Sequence, residues 1–331
     1  MAGQLALRRP ASPRHALALA LIAGGLVALG RLSAAGTSAE IETFVLIFTS
    51  IVVEALPFVL LGALVSAVIE VYVPDRVFHR IADLPVGLQL PAAAFGGLAF
   101  PVCECGSVPV ARRLIARGMH PSAGLAFMLA SPILNPIVLA STVVAYSGRG
   151  VALQMTLGRA GLGLVLAMTA GWAIGTDKAK DLLRPRPDDE LHGHDEADKK
   201  IAFVEHLAGD FFFMGRFVVI GSALAALLQT AIPQSLVGGV ARTPIIGSLA
   251  LMGIAYVLSL CSEADAFVAV SFTQFPLGSQ LAFLVFGPVV DAKLSFLYGA
   301  TFRRKFVARL VIVAVPVVLA GSLWFEALVA R

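Results

Sequence analysis

Phe100-Pro101-Val102-Cys103-Glu104-Cys105-Gly106-Ser107-Val108-Pro109 sets a carboxylate between two cysteines, with prolines that forbid a smooth helix through the stretch. It lies inside a strongly apolar region. Charge and soft ligands on broken backbone are costly at membrane depth, and where they occur they mark a solute path. The rest of the chain agrees with a membrane setting: of 331 residues 58% are hydrophobic and 14% charged, against about a quarter charged in a soluble domain. The fold class is therefore all-α integral membrane. The three cysteines, Cys103, Cys105 and Cys261, all lie in apolar segments and are too few for a disulfide framework. No GxxxxGK[ST] loop is present, which argues against ATP hydrolysis by this chain. No enzyme activity, cofactor or nucleic-acid partner is expected. The expected partners are the lipid bilayer, a small solute or metal or metalloid ion, and a second copy of the chain in a homo-oligomer.

Outward from this stretch, apolar runs alternate with basic clusters. Arg8, Arg9 and Arg14 precede an apolar run over 16–32, so residues 1–40 read as a signal-anchor helix. The next run, 44–73, carries Glu54 before Pro57 and is followed by Arg76, His79 and Arg80. Segment 85–111 is apolar but repeatedly broken, and Arg112, Arg113 and Arg117 follow it. Basic clusters at both ends predict a re-entrant hairpin from the cytoplasm with Cys103–Cys105 at its tip. Ser131-Pro132-Ile133-Leu134-Asn135-Pro136 predicts an interrupted helix with free carbonyls within 119–146. Residues 176–205, polar and carrying His192, His194, Asp195 and Glu196, read as a cytoplasmic linker between a first permease repeat (41–175) and a second (206–331).

The halves echo each other. Cys261 lies 156 residues beyond Cys105, and at that offset Leu125-Ala126-Phe127 meets Leu281-Ala282-Phe283, Pro132 meets Pro288 and Asn135 meets Asp291. Upstream, an offset of 159 sets Gly62 against Gly221 and Pro74 against Pro233. With three spans and one re-entrant segment per half, an odd number of crossings inverts the second half. The expectation is about seven transmembrane helices and two re-entrant or broken segments, 85–111 and 243–275, arranged as two inverted repeats meeting near the midplane, a plan of secondary transporters.

Thiolates select soft or borderline ions, so Cys103, Cys105 and Cys261 are candidate ligands for Cu(I), Zn(II) or trivalent arsenic. Glu104, Glu263, Asp265 and Asp291 are intramembrane carboxylates, fit to carry protons or bind cations, or to pair with a buried cation such as Lys293. Glu54 is a further proton-site candidate. Ser107, Ser131, Asn135 and Ser262 offer neutral oxygen ligands or helix caps. Two other readings stay open: a channel or permease for a small anion held at helix ends, and a membrane thiol carrier.

Pro101-Val-Cys-Glu-Cys-Gly-Ser-Val-Pro109, with Ala126-Phe-Met-Leu-Ala-Ser-Pro132 and Asn135-Pro136, resembles the predicted-permease family, which includes ArsP-type organoarsenical efflux permeases and relatives proposed to export copper or zinc. The resemblance spans residues 41–328. It implies a multi-pass permease of the bacterial inner membrane, with Cys103 and Cys105 at the family's paired-cysteine position on the path; secondary transport in the efflux direction, with protons carried by Glu104 and Glu263, is the expectation drawn from the intramembrane thiols and carboxylates. Glu104 departs from the small polar residue that the arsenical and metal branches carry there, which points to a different branch.

Overall fold

The computed structural model describes residues 39–74, 85–99, 102–176, 179–185, 199–231 and 243–329. The expected signal-anchor helix, the Arg76–Arg80 cluster, Phe100-Pro101 and the His192–Glu196 stretch of the linker lie outside them. Backbone in lipid must satisfy its own polar groups, and a helix does so within one segment. The described residues accordingly form helices, joined only once by an isolated antiparallel bridge between Leu183 and Phe302.

In chain order these are α1 (Ala39–Tyr72), α2 (Val86–Ala99), α3 (Glu104–Ala116), α4 (Pro121–Leu134), α5 (Pro136–Tyr146), α6 (Ala152–Ile174), the single turn α7 (Ala179–Leu182), α8 (Lys199–Ala231), α9 (Pro244–Leu258), α10 (Asp265–Ala269), α11 (Leu277–Phe286), α12 (Ala292–Thr301) and α13 (Phe306–Val329). Among the described residues five segments are long and apolar enough to cross a membrane: α1, α4 with α5, α6, α8 and α13. The α9 and α11 helices are apolar but short. With 15 residues and about 1.5 Å of rise each, α9 reaches roughly 22 Å, less than the roughly 30 Å hydrocarbon core.

Both short helices stop at a break, and breaks are more numerous than the sequence suggests. They fall before α3, at Asn135, over 259–264 and over 287–291. Asn135 and Asp291, paired by the 156-residue offset, do the same local job. Asn135 Oδ1 accepts from Ile137 N at 3.0 Å and caps α5. Asp291 Oδ1 accepts from Leu294 N at 2.5 Å and caps α12. Asn135 has left helical geometry (φ −51°, ψ 127°) because Pro136 follows it. Residues 199–205 of the expected linker are helical, since α8 begins at Lys199.

The two longest helices, α1 and α8, lie against each other, and each presses on an element that starts at a break. A Cβ on Gly62 of α1 would enter the backbone of Gly106 on α3, and a Cβ on Gly221 of α8 would stand 2.6 Å from Lys293 Cα on α12. Gly62→Ala is expected to lower stability by about 1–3 kcal/mol through overpacking. Gly253→Ala, where nothing lies within 4 Å, should stay within about 0.5 kcal/mol. Thermal unfolding of both variants checks the pair.

Arg112 and Arg113, counted in the sequence as loop charges, lie on α3 and are not solvated. Arg112 is 2% exposed. Arg113 Nη1 meets Glu70 of α1 at 2.8 Å and its Nη2 meets Asp210 of α8 at 3.0 Å, with Nε donating to Ser66 at 2.7 Å. A guanidinium with five donors satisfies several buried acceptors at once, so this charge joins α1, α3 and α8. By contrast the outer faces carry large apolar side chains such as Leu46, Val53, Ile312 and Trp324, all exposed, as lipid contact requires.

Candidate functional site

The breaks before α3, after α9 and before α12 deliver their side chains to one place. Cys103 is extended (φ −72°, ψ 176°) and precedes the first turn of α3, which puts Glu104 at a helix N-terminus, where the dipole favours negative charge. Glu104 Oε1 accepts from Lys293 Nζ of α12 at 3.0 Å, and Oε2 accepts from Ser262 Oγ at 3.1 Å. Cys261 Sγ donates to Glu263 Oε2 at 2.9 Å, and Ser262 Oγ lies 3.4 Å from the same oxygen. One ligand atom from each of Glu104, Cys261 and Glu263 falls within 4.8 Å of the others. Cys103 and Cys105 line the same narrow cleft as Cys261, together with Glu54 and Ala55 of α1, Ser259 and Lys293, around a cavity of about 10 Å³, the size of a single water or ion. All three cysteines are free and buried.

The backbone holding Cys261 is unusual. Ser259 sits at φ 48°, in the left-handed region that non-glycine residues rarely adopt. Gln229 of α8 donates to the carbonyl of Leu258 at 3.0 Å. From the other side Arg159 of α6, wholly buried, donates to both oxygens of Asp265 at 2.8 and 2.7 Å, to Thr142 of α5 at 2.9 Å and to the carbonyl of Ser262 at 3.1 Å. The loop bearing Cys261 and Glu263 is thus pinned from two helices.

The charges do not balance locally. Among the described residues, Glu54, Glu104, Glu263 and Asp291 gather near one ammonium, Lys293, which lies 3.8 Å from Asp291 Oδ2. A buried surplus of carboxylate must be neutralised by protons or by a cation. A sulfur and two carboxylates within ligand distance of one another suit a borderline metal ion.

A family model described as a predicted permease matches residues 40–326. The chain belongs to this family. It is 40% identical over 282 residues to UPF0718 protein YcgR of Bacillus subtilis, covering 84% of this chain and 95% of the relative. It is 35% identical over 274 residues to a putative two-component membrane permease complex subunit of Streptococcus mutans, covering 80% and 89%. No solved structure gives a significant match.

In this permease the sequence candidates divide. Cys103, Glu104, Cys105 and Cys261 line the cleft, and Ser262 and Glu263 hydrogen-bond at its edge. Asp291 lies behind Lys293. Asp265 is not at the cleft, because Arg159 holds both its oxygens. Ser107 donates to the carbonyls of Glu104 and Met128, Ser131 donates to that of Phe127, and Asn135 caps α5; none of the three lines the cleft. Arg159 was not singled out from the sequence, although an arginine within the apolar run of α6 is itself a signal of a buried partner.

Proposed function

We propose that the permease is a secondary transporter that exports a soft or borderline metal species, such as Zn(II), Cu(I) or an organoarsenical, from the bacterial cytoplasm across the inner membrane in exchange for protons. The observation that carries this is the convergence of Cys261, Glu104 and Glu263 within ligand distance in a cleft that also holds Cys103 and Cys105. Metal binding requires the thiolate. When a metal ion bonds to Cys261 Sγ, the thiol proton passes to Glu263, 2.9 Å away, and from it to the water on the side from which the cargo came, which leaves the carboxylate free to hold the cargo. Release of the metal returns a proton to sulfur, so each carboxylate alternates between protons and cargo.

The proposed frame is two inverted halves, 41–175 and 206–331, with 176–205 on the cytoplasmic side. What supports it is the recurring order of long helix, broken segment, second broken segment and long helix, and the matched caps Asn135 and Asp291. Rocking one half against the other would expose the cleft to either side. The Streptococcus mutans relative is described as a complex subunit, and pull-down of the full chain would reveal such a partner.

The test is flux into proteoliposomes holding the purified chain, with Zn(II), Cu(I) and trivalent arsenic offered separately and internal pH followed by a dye. Saturable uptake of at least one, with protons moving the other way, is expected. Fluxes equal to protein-free vesicles for all three would end the reading.

A further inference from the structure

A cation arriving at Glu104 finds both oxygens engaged. Ser262 donates to Oε2, but a hydroxyl rotates and can turn its own lone pairs elsewhere. Lys293 donates to Oε1, and an ammonium has no lone pair to share and would repel a metal ion placed on the same oxygen. Lys293 must therefore leave before Glu104 can hold a cation through Oε1 or with both oxygens. A second seat is at hand: Asp291 Oδ2 is buried, has no hydrogen-bond partner and lies 3.8 Å from Lys293 Nζ, while its Oδ1 is fixed by Leu294 N. The lysine stem is held at its base, where Lys293 Cα packs against Gly221 of α8, so a swing of the side chain needs no movement of the helix axis.

We propose that Lys293 is a tethered counter-cation: it holds Glu104 between transport events and crosses to Asp291 when a cargo cation takes the carboxylate. This rests on the metal-transport reading above and narrows it. A neutral arsenic species brings no charge to exchange with an ammonium, so the cargo class is a metal cation. The tether also answers how a cation leaves a site with sulfur and two carboxylates, since the returning lysine competes for Glu104 and lowers the metal's hold.

The test uses the full-length purified chain and calorimetric titration with Zn(II) or Cu(I), each as the metal alone. Lys293→Met removes the competitor and should tighten metal binding by about tenfold or more while slowing flux in proteoliposomes. Lys293→Arg grips Glu104 through a guanidinium fork and should weaken binding by about tenfold. Asp291→Asn should weaken binding in the wild-type background and have no effect on top of Lys293→Met, a non-additivity that a purely structural role would not produce. Wild-type protein that binds neither metal brings down the transport reading together with the tether. Wild-type protein that binds metal while Lys293→Met binds it equally or less tightly overturns the tether alone. Should Lys293→Met fail to fold, unchanged affinity in Lys293→Arg is the overturning result.

Discussion

Cys261→Ser is expected to lower Zn(II) or Cu(I) affinity by about 100-fold or more, since loss of a ligand costs at least as much as the roughly 10–100-fold lost with an outer-shell partner, and to reduce flux to the level of protein-free vesicles. The replacement is close to isosteric, and a serine hydroxyl can donate to Glu263 as the thiol does at 2.9 Å. Stability should therefore change by less than about 1 kcal/mol, and thermal unfolding separates loss of the ligand from loss of the fold. Serine is a poor ligand because its hydroxyl does not ionise under these conditions, whereas a thiol beside a carboxylate loses its proton to that group as the metal bonds. Cys261 is singled out over Cys103 and Cys105 by geometry, since it is the sulfur grouped with two carboxylates within 4.8 Å. Cys103→Ser and Cys105→Ser should each cost less. If Cys261→Ser keeps its affinity within about threefold while Cys103→Ser or Cys105→Ser loses it, the site is centred on the start of α3 and the chemistry assigned to Glu263 is wrong.

What the sequence revealed of this arrangement was its local chemistry. Proline and glycine fix where helices break, so the interruptions around Cys103 and Asn135 follow from a few adjacent residues. The 156-residue spacing between Asn135 and Asp291 was visible, and both prove to cap a helix. What local pattern does not encode is pairing across the chain. Glu104 and Lys293 are 189 residues apart, and Arg159 and Asp265 are 106 apart. Each looks in sequence like an isolated intramembrane charge with an unknown partner. Asp265 was therefore grouped with Glu263 two residues away, although one faces Arg159 and the other Cys261. The same gap affected Arg112 and Arg113. Counting basic residues near helix ends treats them as solvated, and it has no means of knowing that Glu70 and Asp210 wait on two other helices. Ser107, Ser131 and Asn135 carry side chains equally able to cap backbone or bind a ligand, and three-dimensional placement alone distinguishes the two uses.

Arg159→Ala is expected to be the most damaging single change to the fold, and its rescue separates fold from function. The substitution leaves Asp265 buried with both oxygens deprived of donors and frees the Ser262 carbonyl. Breaking a buried pair from one side costs about 3–5 kcal/mol, which is a large part of the roughly 5–15 kcal/mol that holds a typical protein together. Low yield and aggregation on size-exclusion chromatography are the expected readout. Arg159→Lys should fall between, because three ammonium donors on a shorter head cannot span Asp265, Thr142 and the Ser262 carbonyl together. Replacing the pair with apolar side chains of similar volume, as in the double variant Arg159→Met with Asp265→Leu, removes the buried charge altogether and should restore folding to near the wild-type level. It does not restore the bond from α6 to Ser262, which lies between the two residues that meet at 2.9 Å in the cleft. The double variant should therefore fold and still bind Zn(II) or Cu(I) at least about tenfold more weakly. Full metal affinity in a well-folded double variant would mean that Ser259 and Gln229 position the Cys261 loop unaided, and that Arg159 serves stability alone.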